Sequence, residues 1–509
     1  MFYQREFQWA EEAESLKPEL RHELISPVAL AEAEEDPAVW QGWKVRHTAK
    51  PEEIFGQELP RSWEYTFDFG RYCVGFPVFH FEFSGLFDAP FRLEVKLAET
   101  PSELGRDFST YRGDLARSWL QEALVVEDTA PAVIRLTRRY AFRYLKLKVV
   151  VNSTYKVTLR KVQCDTVSAA DWSSVPALGN AYDQLDRSIH RIGLTTLAAC
   201  MQKSFEDGPK RDRRLWLGDL RLQALANYHS FRNFSLVKRC LLMFAASANE
   251  DGEIPGCVYP GSPRPLAGNY TFDYSILFGD ILLDYVNASG DEAGGRDLFP
   301  VARRQCEIAL REVQNDCFHY RGGYWLFVDW QEKLDRECAG HGLVLYSLMR
   351  TLELAHRLNL TSEVADYPDR IERMRKAGCR KWFDSVRGYF TSGQDRQISW
   401  ASQIWAAFAE MLPESEMREL LRRLPKEKEA IPPGGPFLYN QMVLVLERYG
   451  LHREAHALTR AFWGKMVELG ADTFWEVFDP ADPMRSPYGD PIINSYCHAW
   501  STPVYSFHN

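Results

Sequence analysis

Apolar and polar residues alternate along the first third of the chain. Phe91, Leu93, Val95 and Leu97 are separated by Arg92, Glu94 and Lys96. Leu145, Leu147 and Val149 are separated by Lys146 and Lys148, and Val157, Leu159 and Val162 continue the pattern. Period two with one polar face marks half-buried strands of an antiparallel sheet. Runs at 63–69, 74–83 and 132–137 supply further strands, enough for a small β-sandwich over residues 1–170. The first sixty residues follow this pattern less well and are expected to drape over the sandwich.

Near residue 170 the period becomes helical. Leu178, Tyr182, Leu185, Ile189 and Ile192 step by 4, 3, 4 and 3, which lines one face of an α-helix. Twelve such segments begin near 177, 217, 233, 270, 300, 340, 363, 398, 415, 436, 453 and 493. Breaks such as Pro255-Gly256, Pro260-Gly261 and Pro432-Pro433-Gly434-Gly435 separate them. Twelve helices make six hairpins, and a closed ring of six is an (α/α)6 toroid, expected over residues 171–509.

Composition adds one feature to this picture. With 15 Trp, 23 Tyr and 30 Phe, the chain is 13% aromatic. Packing of a large core uses such residues, and so do flat platforms in clefts that bind sugar rings. The net charge of −9 and the lack of long basic runs exclude a nucleic-acid footprint. No apolar stretch is long enough for a membrane span, and the first residues do not read as a secretory signal. The ten scattered cysteines contain no Cys-x-x-Cys, so they read as thiols of a reducing, cytoplasmic compartment. On that reading the Asn152-Ser153-Thr154 triplet is a chance match to a glycosylation site. His452 and His456 lie four apart but lack the metalloprotease order and read as surface residues.

Three segments carry candidate chemistry. The stretch from Lys203 to Asp219 holds Glu206, Asp207, Asp212 and Asp219 among the basic residues Lys210, Arg211, Arg213 and Arg214, with Trp216 beside them. Two readings are open: a solvated loop with Asp219 capping the next helix, or carboxylates and an indole that grip and protonate a sugar. Trp475-Glu476, followed by Asn494-Ser495 and His498, is either a helix end with a solvent-facing acid or a second carboxylate across a cleft. Asp329-Trp330 ends an apolar run, as a buried edge or as a platform.

The first segment resembles the signature of the inverting α-L-rhamnosidases of glycoside hydrolase family 78. Asp207, Pro209, Arg211, Arg213, Trp216, Gly218 and Asp219 match it at unbroken spacing. Asp329-Trp330 is similar to the family's Gly-Asp-Trp, and Gly470, Ala471, Thr473, Trp475 and Glu476 to its Gly-Ala-Thr-Thr-x-Trp-Glu. Asn494-Ser495 and His498 are similar to the Asn-Ser-x-x-His that follows. The resemblance implies an (α/α)6 catalytic domain behind a β-sandwich. It implies Asp212 as proton donor and Glu476 as general base. Asp207, Arg211, Trp216, Asp219, Asp329, Trp330, Trp475 and His498 would then hold the rhamnose. Asp212 stands where the family usually has Glu, Gly208 and Lys210 where it has Cys and Gln, and Leu217 where it has Thr.

For Asp212 to act as an acid, Arg211, Arg213 and Arg214 are expected to point elsewhere, with Asp207 and Asp219 as its like-charge neighbours. The implied activity needs no metal or cofactor. The match ends soon after His498, which suggests small rhamnosides rather than polymers as substrates. Another sugar hydrolase or lyase on the same toroid, or a non-catalytic carbohydrate-binding protein, remains the alternative. A homodimer is one assembly the sequence leaves open.

Overall fold

The computed structural model describes residues 2–149, 153–260, 265–503 and 507. Asn152 and Gly261, singled out above, lie outside the described residues. The alternating segments form one antiparallel sheet system: β1 (Arg21–Ile25), β2 (Ala29–Glu35), β3 (Trp43–Ala49), β4 (Glu64–Ser84), β5 (Phe91–Ala98), β6 (Glu122–Glu127), β7 (Val133–Arg135), β8 (Tyr140–Val149) and β9 (Lys156–Ser168). The two runs expected at 63–69 and 74–83 are one long strand, β4. Its first half pairs with β2 and β8 and its second half with β7 and β9, with a register break between Asp68 and Cys73. β4 thus belongs to both layers of the sandwich. Phe67, Phe79, Leu93, Leu97, Leu145 and Leu159 meet between those layers and are fully buried, as the alternation requires.

The first sixty residues do not simply drape over the sandwich. Residues 21–49 supply β1, β2 and β3, and α1 (Phe2–Ser15) packs instead on the helical domain. Trp9 and Ala13 join that domain's core, and the Trp9 indole donates to Asp297 at 2.6 Å. α2 (Pro101–Gly105) follows β5.

The helical domain contains α3 (Gln184–Cys200), α4 (Leu217–Tyr228), α5 (Phe234–Ala245), α6 (Phe272–Ile276), α7 (Phe278–Ser289), α8 (Glu292–Leu310), α9 (Glu337–Leu358), α10 (Tyr367–Trp382), α11 (Trp400–Phe408), α12 (Glu414–Arg423), α13 (Pro436–Arg448) and α14 (His452–Glu468). Around the inside, α4, α7, α9, α11 and α13 pack in succession. The ring then closes onto α4 through residues 499–501. α8 packs outside against α7 and α9, α10 against α9, and α14 against α13 and α3.

Three details differ from the periodicity. The helix expected near 177 starts at Gln184, where Asp183 caps it through the Asp186 amide. The segment near 270 is α6 and α7, joined end to end at Leu277. The segment near 493 is not an α-helix: 3-10 turns at Pro491–Ile493 and Ala499–Ser501 flank extended chain. Its amides are engaged elsewhere. Ser495 donates to the Glu476 carboxylate, Tyr496 to Glu99, and His498 to the Phe474 carbonyl. A helix would have to break those bonds to satisfy its own ladder. Among the described residues no helix is long and apolar enough to cross a membrane.

Candidate active site

The Lys203–Asp219 segment folds around Asp207. One Asp207 oxygen accepts from the Asp212 amide at 3.0 Å and the other from the Arg214 amide at 3.1 Å. Gly208 makes room for the turn: a Cβ there would sit 2.5 Å from the Arg211 carbonyl and from the Ser495 hydroxyl. Leu215-Trp216 then forms a short bridge to 257–258, and α4 begins with Asp219 in its first turn. From the sheet domain, Glu99 and Glu103 receive the fully buried Lys210 ammonium at 2.8 and 3.2 Å. Arg139, just before β8, binds both oxygens of Glu206 at 2.8 and 2.6 Å. The loop is therefore clamped from below by the other domain.

The opposite wall is the non-helical chain at 474–500. Glu476 accepts from the Tyr488 hydroxyl at 2.5 Å, the Ser495 amide at 3.0 Å and the Arg211 guanidinium. Arg211 also lies 3.4 Å from Asp212 and donates to the Ile493 carbonyl at 2.8 Å. One guanidinium thus touches both acids, which places their nearest oxygens at most about 8 Å apart, given the width of its fork. His498 stands between Asp207 and Asp219, with contacts of 3.9 and 3.5 Å. Oδ1 of Asp219 and Nδ1 of His498 are buried without a hydrogen-bond partner. Burial, then the nearby Asp207 and Glu476, holds the Asp219 carboxyl well above the usual carboxylate range. Burial, then Asp212, does the same for Asp207. Burial, with Arg211 nearby, keeps His498 well below the usual histidine range and hence neutral at pH 7.

One expectation is corrected here. Arg213 does turn away, to the carbonyls of Pro209 and Arg139 at 2.8 and 2.5 Å. Arg211 and Arg214 do not: they face Asp212 at 3.4 and 3.7 Å. Of the two readings open for Asp219, the solvated cap does not hold: its side chain is buried and lines the cavity.

Between the walls is a cavity of about 220 Å³. Asp207, Arg211, Asp212, Trp216, Asp219, Trp330, Glu476 and His498 all line it. Asp329 and Trp475 do not. Asp329 lies buried, with Oδ2 accepting from the Gly434 amide at 2.5 Å. Trp475 stacks on Trp40 of the sheet domain, 4.2 Å between ring centres, and packs there. The sequence reading missed Tyr488, which holds Glu476 and stands edge-on to Trp330. It also missed Trp325 and Trp500, although both lie inside or beside the segments it singled out. Leu115 and Trp119 of the sheet domain reach the cavity as well, and no local pattern marked them. His452 and His456 diverge, to Glu447 and Asp186.

Residues 27–166 match the family model described as the glycosyl hydrolase family 78 alpha-rhamnosidase N-terminal domain. Residues 181–508 match the bacterial alpha-L-rhamnosidase 6 hairpin glycosidase domain. Among solved structures, the chain is similar to a rhamnosidase from Klebsiella oxytoca with rhamnose bound, at 40% identity and a TM-score of 0.94, covering 98% of each chain. A family 78 rhamnosidase of Bacillus sp. GL1 shares the fold at 19% identity and a TM-score of 0.76, over 91% of this chain and 49% of that one. The α-L-rhamnosidase of Dictyoglomus thermophilum does so at 15% identity and 0.69, over 96% and 51%. No curated protein matches the chain.

Proposed function

The chain belongs to the α-L-rhamnosidases of glycoside hydrolase family 78, and from that premise we propose that it releases terminal L-rhamnose from small α-L-rhamnosides with inversion at the anomeric carbon. The observation that carries this reading is the pair of acids, Asp212 and Glu476, facing one small cavity and bridged by Arg211. A volume of about 220 Å³ lies below the roughly 300–1,000 Å³ of drug-sized pockets and suits one sugar ring. The bound rhamnose of the Klebsiella protein, at 40% identity, supports L-rhamnose as that ring. The unpartnered atoms of Asp219 and His498 supply waiting partners for its hydroxyls.

In this mechanism Asp212 gives its proton to the glycosidic oxygen as the C1–O bond breaks. Glu476, oriented by its three donors, takes a proton from a water that attacks C1 from the opposite face. The ceiling of about 8 Å on their separation is compatible with the roughly 6.5–9.5 Å that inverting pairs use to admit that water. Initial release of β-L-rhamnose from an α-L-rhamnoside, followed by proton NMR, is the expected result. First appearance of the α anomer would mean a covalent intermediate and would overturn the inverting assignment.

Asp219 is a second candidate for the donor. Its carboxyl is held up by burial and turns an unpartnered oxygen into the buried site, whereas Asp212 faces two guanidinium groups. Loss of the donor is rescued by a leaving group that needs no protonation. The variant, Asp212→Asn or Asp219→Asn, that keeps activity on an aryl rhamnoside of low phenol pKa but loses it on an alkyl rhamnoside identifies the acid.

A further inference from the structure

The sheet domain sends a strap into the active site. After α2 the chain runs from Arg106 to Gln121 before entering β6, and two 3-10 turns, Phe108–Thr110 and Arg117–Trp119, shape it. It is fastened to the non-helical wall at several points. Arg106 forks onto both oxygens of Asp490 at 2.6 and 2.9 Å, and the Asp114 amide donates to the Tyr488 carbonyl at 2.9 Å. Phe108, Tyr111 and Leu120 form a small core of their own with Ile492 and Ile493. The Tyr111 hydroxyl donates to the Leu115 carbonyl at 2.9 Å and braces the tip. Leu115 and Trp119, both half-buried, are thereby presented to the cavity.

The cavity has a direction. Asp207, Arg211, Asp219 and His498 are each buried to 5% exposure or less and make its polar, closed end. A ring whose hydroxyls meet those groups must point its leaving group toward solvent. Asp212, with 17% of its side chain exposed against 4% for Glu476, sits nearer that side. The strap adds the half-buried side chains of Leu115 and Trp119 to the lining, apolar and aromatic surface that suits a flat apolar group and gives little to a small alkyl or heavily hydrated one.

We propose that Trp119, supported by Leu115, forms the leaving-group subsite of this enzyme and selects rhamnosides with planar aromatic leaving groups. The inference rests on the rhamnosidase reading above and names the residue of the sheet domain that sets its selectivity. Stacking of one aromatic ring on another, together with the apolar area it buries, changes affinity by about tenfold.

Binding of phenyl and methyl 1-thio-α-L-rhamnoside, which are not hydrolysed, tests it by titration calorimetry without interference from leaving-group reactivity. The wild type should bind the phenyl compound at least about tenfold more tightly than the methyl compound. Trp119→Ala should collapse that ratio below about threefold while leaving methyl thiorhamnoside and free L-rhamnose within about twofold of wild type. Trp119→Leu, which keeps apolar bulk in the strap but loses the plane, should collapse it too and guards against misfolding of the first variant. Equal affinity of the wild type for the two compounds, or loss of both by the same factor in the leucine variant, would overturn the assignment of Trp119. Failure of the wild type to bind either compound or free rhamnose would instead overturn the rhamnosidase reading, and this inference with it.

Discussion

The Arg211 guanidinium reaches Asp212 on one side and Glu476 on the other, while its Nε is spent on the Ile493 carbonyl. Lysine could hold one of those contacts but not all three. The two acids are therefore kept in register by a side chain that also depends on them, and each can be tested alone. On an alkyl rhamnoside, whose leaving group needs protonation, Asp212→Asn and Glu476→Gln should each lower kcat by at least about 10²-fold, the scale of a lost general acid or base. Circular dichroism should change little, since both substitutions keep shape and volume, while Glu476→Gln should lower the unfolding midpoint because it weakens the buried partner of Arg211. Near-wild-type turnover in either folded variant would remove that residue from its role. These acids were visible in the sequence because their motifs are contiguous. Tyr488 was not, since a hydroxyl that orients a carboxylate twelve residues away leaves no spacing to read. Trp475 and Asp329 were legible as motif members yet sit outside the cavity, because an indole can equally stack on Trp40 and a carboxyl can equally hold a loop amide.

At the scale of elements, the loop at 203–219 and the wall at 490–498 are joined through Lys210. Its ammonium lies between Glu99 and Glu103 and also approaches the Ile492 carbonyl at 3.4 Å. Glu99 in turn holds the Tyr496 amide at 3.0 Å. Lys210→Met would leave two carboxylates in a dry site without their cation, a change that costs on the order of 3–5 kcal/mol. Denaturant unfolding should show that loss, and adding Glu99→Gln should recover part of it; an unchanged midpoint in Lys210→Met would mean the cluster carries no stability. The sequence shows that Lys210 departs from the family pattern but not where its partners lie, since they are more than 100 residues away in another domain. The same limit explains the segment near 493. Its apolar spacing is helical because it is buried on all sides, but its amides belong to Glu476, Glu99 and the Phe474 carbonyl. Periodicity reports burial and is silent on hydrogen-bond partners.

For the molecule as a whole, buried carboxyls give stability a pH dependence opposite to that of paired surface acids. Burial pushes Asp329 up to about 7 and Asp273 up to about 6. In the unfolded chain both return to about 3.9. The folded state therefore binds their protons more tightly between those limits, so their contribution is complete below about pH 4 and is lost as pH rises through 6 and 7. For Asp329 alone the change is on the order of 2–4 kcal/mol. The stability of wild type minus that of Asp329→Asn, measured by urea unfolding, should fall steadily from pH 4 to pH 8. A difference that stays flat across that interval would show that Asp329 does not hold its proton in the fold.

α1 lies on α5 and places Trp9 against Asp297, so the chain leaves the helical body after Ser15, builds the sheet domain, and returns to that body at α3. In mechanical terms the sheet domain is a closed linkage anchored at two points, not a lobe swinging on one connector. Such a frame lacks the soft hinge mode that opens and shuts many two-domain clefts. Sugar entry then falls to the side chains and short loops around the cavity mouth. The span between the two acids is set by the stiffness of the frame, and any change that slackens the anchor at α1 should be felt some distance away, as a loosened grip of Glu99 on the catalytic loop.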